Sequence, residues 1–362
     1  MSNYWIENNI SGLRREDFQG TVQGKKTDVF ILKNNKGSEM AVTNFAGAVL
    51  SIMMPDRNGK MESVIMGHDS LEHVMNSKEE FLSVLIGRYG NRIEAGKFTL
   101  DGKQYNLAIN NGVNHLHGGP TGFHKRVWDA EQLDSQTLQL HYLSIDREEG
   151  FPGQLEVTVI YKLTDDNEFA IEYEATTDQK TIVNLTHHAY FNLNGMSKNT
   201  KTVLDNMLTV NADYYIPIDD TAIPLGRIDQ VNGTAFDFRT PHRVGDRIED
   251  GSEQISNGNG YDHCWVLNKR EPGELSFAVK CYDKESGRSL ECFTTEPGVQ
   301  VYSGNYCSGS TCAHDSILPK RCAICFEAQH FPDSPNRPYF PSVVLNPGEI
   351  YTQTTIYRFA VE

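Results

Sequence analysis

Hydrophobic and polar residues alternate with period two along much of this chain. Leu138, Leu140 and Tyr142 share one face of a first stretch, and Leu155, Val157, Val159, Tyr161 and Leu163 share one face of the next. Phe169, Ile171, Tyr173 and Ala175 follow, and Leu290, Cys292 and Thr294 repeat the pattern later. Such alternation predicts strands with one face on a core and one toward water. Turn chemistry separates the stretches, as at Asp101-Gly102, Thr164-Asp165-Asp166-Asn167 and Asp283-Lys284-Glu285-Ser286-Gly287. Helical periodicity is scarce. Only Ser70-Leu71-Glu72-His73-Val74-Met75 predicts a short helix, with Ser70 as its N-cap. Many short strands without a repeating βα unit predict an all-β fold, a large antiparallel β-sandwich. No composition break or internal repeat divides the chain, so residues 1–362 read as a single domain with its chemistry on long loops.

Composition narrows the partners. The net charge is −15 and no long basic run occurs, which argues against nucleic acid and anionic membranes. A neutral small molecule fits best, bound by a monomer or homodimer. No run reaches the ~18 apolar residues of a membrane span. Met1–Glu7 carries neither the basic nor the apolar region of a leader, so a cytoplasmic location is expected. All seven cysteines fall between Cys264 and Cys325. The odd count makes a poor disulfide framework, and reduced, buried thiols are expected. Cys322-Ala323-Ile324-Cys325 has redox spacing, but in a strand-like apolar context rather than a βα turn.

The residue with the clearest chemical promise is Glu327, which ends the apolar run Ala323-Ile324-Cys325-Phe326 before the turn Phe331-Pro332-Asp333-Ser334-Pro335. A carboxylate there needs partners or must be neutral, and low dielectric raises its pKa toward the range of a general base. His187 and His188, on an apolar strand, point to opposite faces and offer a proton donor. Polar side chains also gather in Gly87–Ile93, Asn114–Gly119, Gly260–Trp265 and Thr294–Asn305. Donors, acceptors and aromatic faces of this kind suit vicinal hydroxyls and the C–H faces of a sugar. Each residue also has an ordinary reading. Arg88 and Arg92 can close surface ion pairs, Asp262 can hold an Asx turn, Gln300 and Tyr302 can be plain sheet positions, and a strand histidine or buried carboxylate can be structural. His115 and His117 share a face if extended and with Glu327 could ligate zinc, but His-x-His alone is a weak signal, and no metal is expected. No Gly-x-Ser-x-Gly elbow, P-loop or Rossmann fingerprint is present.

Taken in order, Gly87-Arg88-Tyr89-Gly90-Asn91-Arg92-Ile93, Asn114-His115-Leu116-His117-Gly118-Gly119, Thr186-His187-His188-Ala189-Tyr190-Phe191-Asn192-Leu193 and Phe326-Glu327-Ala328-Gln329 resemble the signature blocks of the aldose 1-epimerase (galactose mutarotase) family. Thr295–Gln300 and Leu345–Glu349 extend the resemblance, which runs from about Gly47 to Tyr351. It implies a galactose-mutarotase-like supersandwich with an open cleft, interconverting anomers of a free aldohexose without a cofactor. By position, Glu327 matches the family's general base and His188 its general acid, lying two residues before Tyr190. His117 matches a second active-site histidine, and Arg92, Asp262 and Gln300 match sugar binders with Asn91 beside them. The cysteine-rich stretch from Cys307 to Cys325 departs from the family pattern. In this reading Glu327 is ionised and His188 protonated at working pH, so that one takes a proton from O1 and the other gives one to O5. An epimerase of a phosphorylated hexose, a non-catalytic sugar-binding module and a glycoside hydrolase are the competing readings.

Overall fold

The computed structural model describes residues 8–362 other than 198–199, 308, 310 and 314–315. The leader expectation, placed on Met1–Glu7, lies outside the described residues. The alternating stretches form a nine-stranded sheet in the spatial order Asp129–Gln132, Thr137–Ser144, Leu155–Leu163, Glu168–Thr177, Tyr351–Val361, Arg288–Thr294, Ser276–Tyr282, Met207–Val210 and His242–Arg243. Its ladders are antiparallel, and the register sets Leu138 opposite Tyr161 and Tyr161 opposite Ile171. The apolar faces therefore coincide, and Leu140, Val159, Leu163 and Phe169 are fully buried in one large cluster. Tyr142, at the end of the first stretch, is only half-buried and donates its hydroxyl to Glu148 Oε1 at 2.6 Å.

A five-stranded sheet runs Asp229–Gln230, Tyr214–Ile216, Asp262–Val266, Gly298–Tyr302 and Cys325–Gln329. A four-stranded sheet holds Val29–Lys33, Glu39–Thr43, Val49–Pro55 and Met61–Ser63. Asp101-Gly102 joins Lys97–Leu100 to Lys103–Asn106 with φ of 50° and 75°, the left-handed pair that a two-residue hairpin favours. The other two predicted turns likewise join adjacent strands. The helix Leu71–Met75 forms, and Ser70 accepts from the His73 N–H. A second five-residue helix, Glu253–Asn257, with Ser252 accepting from the Ile255 N–H, escapes the sequence reading.

All seven cysteines are buried, and Cys264, Cys281, Cys292, Cys307, Cys322 and Cys325 are free thiols. Cys322 Sγ rests 3.7 Å from Met66 Sδ, and burial pushes the Cys325 thiol well up, the opposite of what redox chemistry needs. No helix among the described residues is long and apolar enough to cross a membrane.

Candidate active site

Strand alternation in the five-stranded sheet builds one wall of a cleft of about 450 Å³. Gln300 lies opposite Glu327, and Asp262 opposite Tyr302, so these four side chains share a face. The other face, with Val299, Val301 and Phe326, belongs to the core. Glu327 is thus held by a strand covered on both sides, and it is 1% exposed.

His188 arrives from the facing wall. Its N–H donates to the Val84 carbonyl and its carbonyl accepts from Ser83 N–H, which locks the backbone on both sides. His187 points the other way, its ring packed edge-on against Tyr161 and Phe169 in the core. The opposite-face expectation therefore holds, with His188 in the cleft and His187 structural. His188 Nε2 stands 3.6 Å from Glu327 Oε1. Tyr190 stacks on the His188 ring at 4.9 Å, and Phe81 lies over its other side at 6.2 Å.

His117 completes the group, but not by the predicted geometry. Its φ of 50° breaks the extended run, so His115 does not share its face. His115 turns away, with Nδ1 2.8 Å from the Ala108 carbonyl oxygen and its ring against Phe151. Asn91 N–H donates to His117 Nδ1 at 3.0 Å. That nitrogen is therefore a bare acceptor, and the ring proton sits on Nε2. Gly118, at φ 83°, follows directly, and a Cβ there would overlap the Gly87 carbonyl oxygen. Gly118→Ala is expected to destabilise by about 3 kcal/mol, the upper end of the usual range, which a urea unfolding curve would measure.

The donor atoms of His117, His188 and Glu327 lie within 4.8 Å of one another, two imidazoles and a carboxyl as in some zinc sites. The His117 tautomer does not fit such an ion. A ligating imidazole donates from its second nitrogen, whereas here the second nitrogen accepts and the one left for the cleft carries a proton.

Arg92, Asp262 and Gln300 form a chain along the rim. Gln300 Nε2 donates to Asp262 Oδ1 at 2.7 Å, and Asp262 Oδ2 lies 3.8 Å from Arg92 Nη1. Asn91 lines the same cleft, and its Oδ1 accepts from Arg92 N–H. Six of the seven predicted site residues thus line one cavity, and Gln300 joins them through its bond to Asp262. Arg88 is corrected: it closes no surface ion pair but is buried, donating to the carbonyls of Gly153 and Pro152. Asp262 opens a strand rather than an Asx turn.

Electrostatics reverse the expected protonation states. Burial pushes Glu327 well above the usual carboxylate range, nearby Asp262 adds to this, and Arg92 opposes it. Burial also pushes His188 down to about 3, with Arg92 contributing. His117 is held well below its ordinary value by burial and then by His188. The expected carboxylate–imidazolium pair is therefore a neutral carboxyl and a neutral imidazole, because burial leaves neither charge well solvated. The proton count of the pair is the same in both descriptions.

Sequence reasoning missed Asn111, Phe81 and the cleft-lining role of Tyr190, Tyr302 and Tyr306. A second cavity of about 590 Å³ contains Glu296 and His330, which are bonded to each other at 2.6 Å, and Lys269 and Glu271 line it too.

The chain is similar to known proteins over most of its length. The chain is 40% identical over 321 residues to galactose mutarotase of Bos taurus, covering 88% of this chain and 90% of the relative. It is 34% identical to aldose 1-epimerase of Escherichia coli, covering 94% and 97%. Among solved structures, a GalM/aldose epimerase homologue from C. elegans superposes with a TM-score of 0.85 at 29% identity, covering 92% of this chain and 99% of that one. Galactose 1-epimerase from Lactobacillus acidophilus gives 0.83 at 28%, covering 95% and 97%. The family profile described as aldose 1-epimerase matches residues 28–358. With that match spanning both walls of the cleft, the chain belongs to the aldose 1-epimerase family.

Proposed function

We propose that this protein interconverts the α and β anomers of a free aldohexose, such as galactose or glucose, by acid–base ring opening without a cofactor. The observation that carries this reading is the opposition of His188 Nε2 and Glu327 Oε1 at 3.6 Å inside a hexose-sized cleft. Moving the shared proton from Glu327 to His188 turns the neutral pair into carboxylate and imidazolium, with no proton drawn from solvent. The carboxylate then takes the proton of O1 and the imidazolium gives one to O5. After rotation about C1–C2, the ring closes with the roles reversed. His117 Nε2–H is a fixed donor that stabilises charge on a sugar oxygen. Arg92, Asp262, Gln300 and Asn91 hold the hydroxyls. Each positioned proton carrier contributes ~10²–10⁴-fold.

The competing substrates find less support. A phosphorylated hexose needs clustered cations. Arg88 is spent on carbonyls and Arg126 pairs with Glu148 at 3.0 Å, so the cleft is lined by Arg92 and Lys78 among four carboxyls, Glu79, Glu80, Asp262 and Glu327. Polarimetry on freshly dissolved α-galactose should show anomerisation far above the spontaneous rate, with galactose 6-phosphate and a nitrophenyl galactoside left nearly unchanged. No acceleration with free hexoses would overturn the proposal.

The pH profile gives a sharper test. Adding a second proton to the pair requires pH near the lowered His188 value, and removing the shared one requires pH near the raised Glu327 value. kcat/KM should therefore show no inflection across the ordinary imidazole range of ~6–7. An inflection near the ordinary imidazole value of ~6.5 would show that His188 titrates alone.

A further inference from the structure

Arg92 is aimed by a residue outside the matched blocks. Its Nε donates to Asn111 Oδ1 at 3.0 Å, on the side of the guanidinium away from Asp262. Because Arg92 can only donate, the Asn111 amide has one possible orientation, with Oδ1 on Arg92 and Nδ2 turned elsewhere. Asn111 lines the cleft and is half-buried. Its platform is rigid: Asn111 and Asn114 exchange both backbone hydrogen bonds, and Asn110 bonds Leu116 through both ends of its amide. Asn114 in turn bonds Ala95 N–H and the Thr221 carbonyl. A side chain on such a platform holds its direction without substrate.

We infer that Asn111 is a further substrate-binding and positioning residue: its Oδ1 fixes the Arg92 guanidinium, and its Nδ2 donates to a hydroxyl of the sugar. The amide carries two N–H groups beside a cleft in which Asp262 accepts from Gln300 and Glu327 faces His188. A hydroxyl oxygen is the complementary acceptor, whereas a ligand presenting a cation there would meet Arg92. This rests on the assignment of the cleft to the sugar.

The test compares the parent with Asn111→Ala by progress-curve polarimetry on galactose, glucose and a set of monodeoxy hexoses, after matched thermal melts establish folding. Losing a hydrogen bond made in both ground and transition states should raise KM roughly tenfold and leave kcat within about threefold. The KM penalty should shrink at least threefold for one monodeoxy sugar, the one lacking the acceptor hydroxyl. A penalty equal for every sugar, an unchanged KM or a loss confined to kcat would overturn the role of Asn111. Full activity in Glu327→Gln would instead overturn the assignment of the cleft, so the two failures are distinguishable.

Discussion

Glu327→Gln is expected to lower anomerisation about a thousandfold while the protein folds normally and melts at a higher temperature at pH 7.5. Glutamine has the same shape and, like the buried carboxyl, no charge. The strand Cys325–Gln329 and its pairing with Gly298–Tyr302 are left untouched. What disappears is the proton that passes to His188 and the carboxylate that takes one from O1, and loss of a general base is worth ~10²–10⁴-fold. The stability gain follows from linkage. The folded state holds Glu327 protonated well above its ordinary value of 4.5, so its contribution is fully present below that value and is lost as pH rises toward the folded one. At pH 7.5 the glutamate is therefore a liability that glutamine removes. A variant within a few-fold of parental activity would sink the assignment, and a lower melting temperature would sink the claim that the carboxyl is neutral.

Acid should unfold this protein steeply between pH 7 and 5. Seven buried histidines are held neutral by burial. His68 and His115 are pushed down to about 4, His124, His187, His188 and His263 to about 3, and His117 well down. The unfolded chain binds protons at these sites below pH ~6.5, and the folded chain does not, so stability falls as pH falls through that value toward the folded ones. Each site costs about 2 kcal/mol between pH 7 and 5. Three groups oppose the trend. His330 is buried, but Glu296 outweighs that burial and raises it, and burial raises Glu327 and Asp333. These three offset part of the loss, and the remainder is a sizeable share of the ~5–15 kcal/mol stability of a typical domain. Urea midpoints at pH 7, 6 and 5 would read it directly, with a net uptake of protons on unfolding. A midpoint unchanged across that range would show that the imidazoles protonate within the fold. The acid limb of activity then reports unfolding rather than titration of the His188–Glu327 pair.

Much of this molecule can be read from its residues, and the unread parts share physical causes. Period-two runs such as Leu155–Leu163 predict their strands because one face meets the core, and Asp101-Gly102 predicts its hairpin because the turn needs left-handed backbone. Glu327 is legible because a carboxyl ending an apolar run has few explanations. His117 was placed in the site by resemblance, yet its left-handed backbone could not be foreseen, since no local pattern marks a histidine at positive φ. Phe81 sits in irregular chain with no period to follow, and only the tertiary fold brings its ring within 4.7 Å of His117. The protonation states are not legible, because the sequence shows which residues meet but not how completely both walls exclude water. Arg88 was misread for the same reason, its carbonyl partners lying more than sixty residues away.

The strand Tyr351–Val361 is the sole bridge between Glu168–Thr177 and Arg288–Thr294 in the middle of the nine-stranded sheet. Until the ribosome has released residues beyond 351, the growing polypeptide carries two half-sheets whose inner edges have nothing to pair with. Such edges invite pairing with other nascent chains. Closing the gap also joins segments far apart in sequence, an arrangement that makes maturation slow. The yield of this protein in a cell should accordingly depend on how well those two margins are shielded during synthesis.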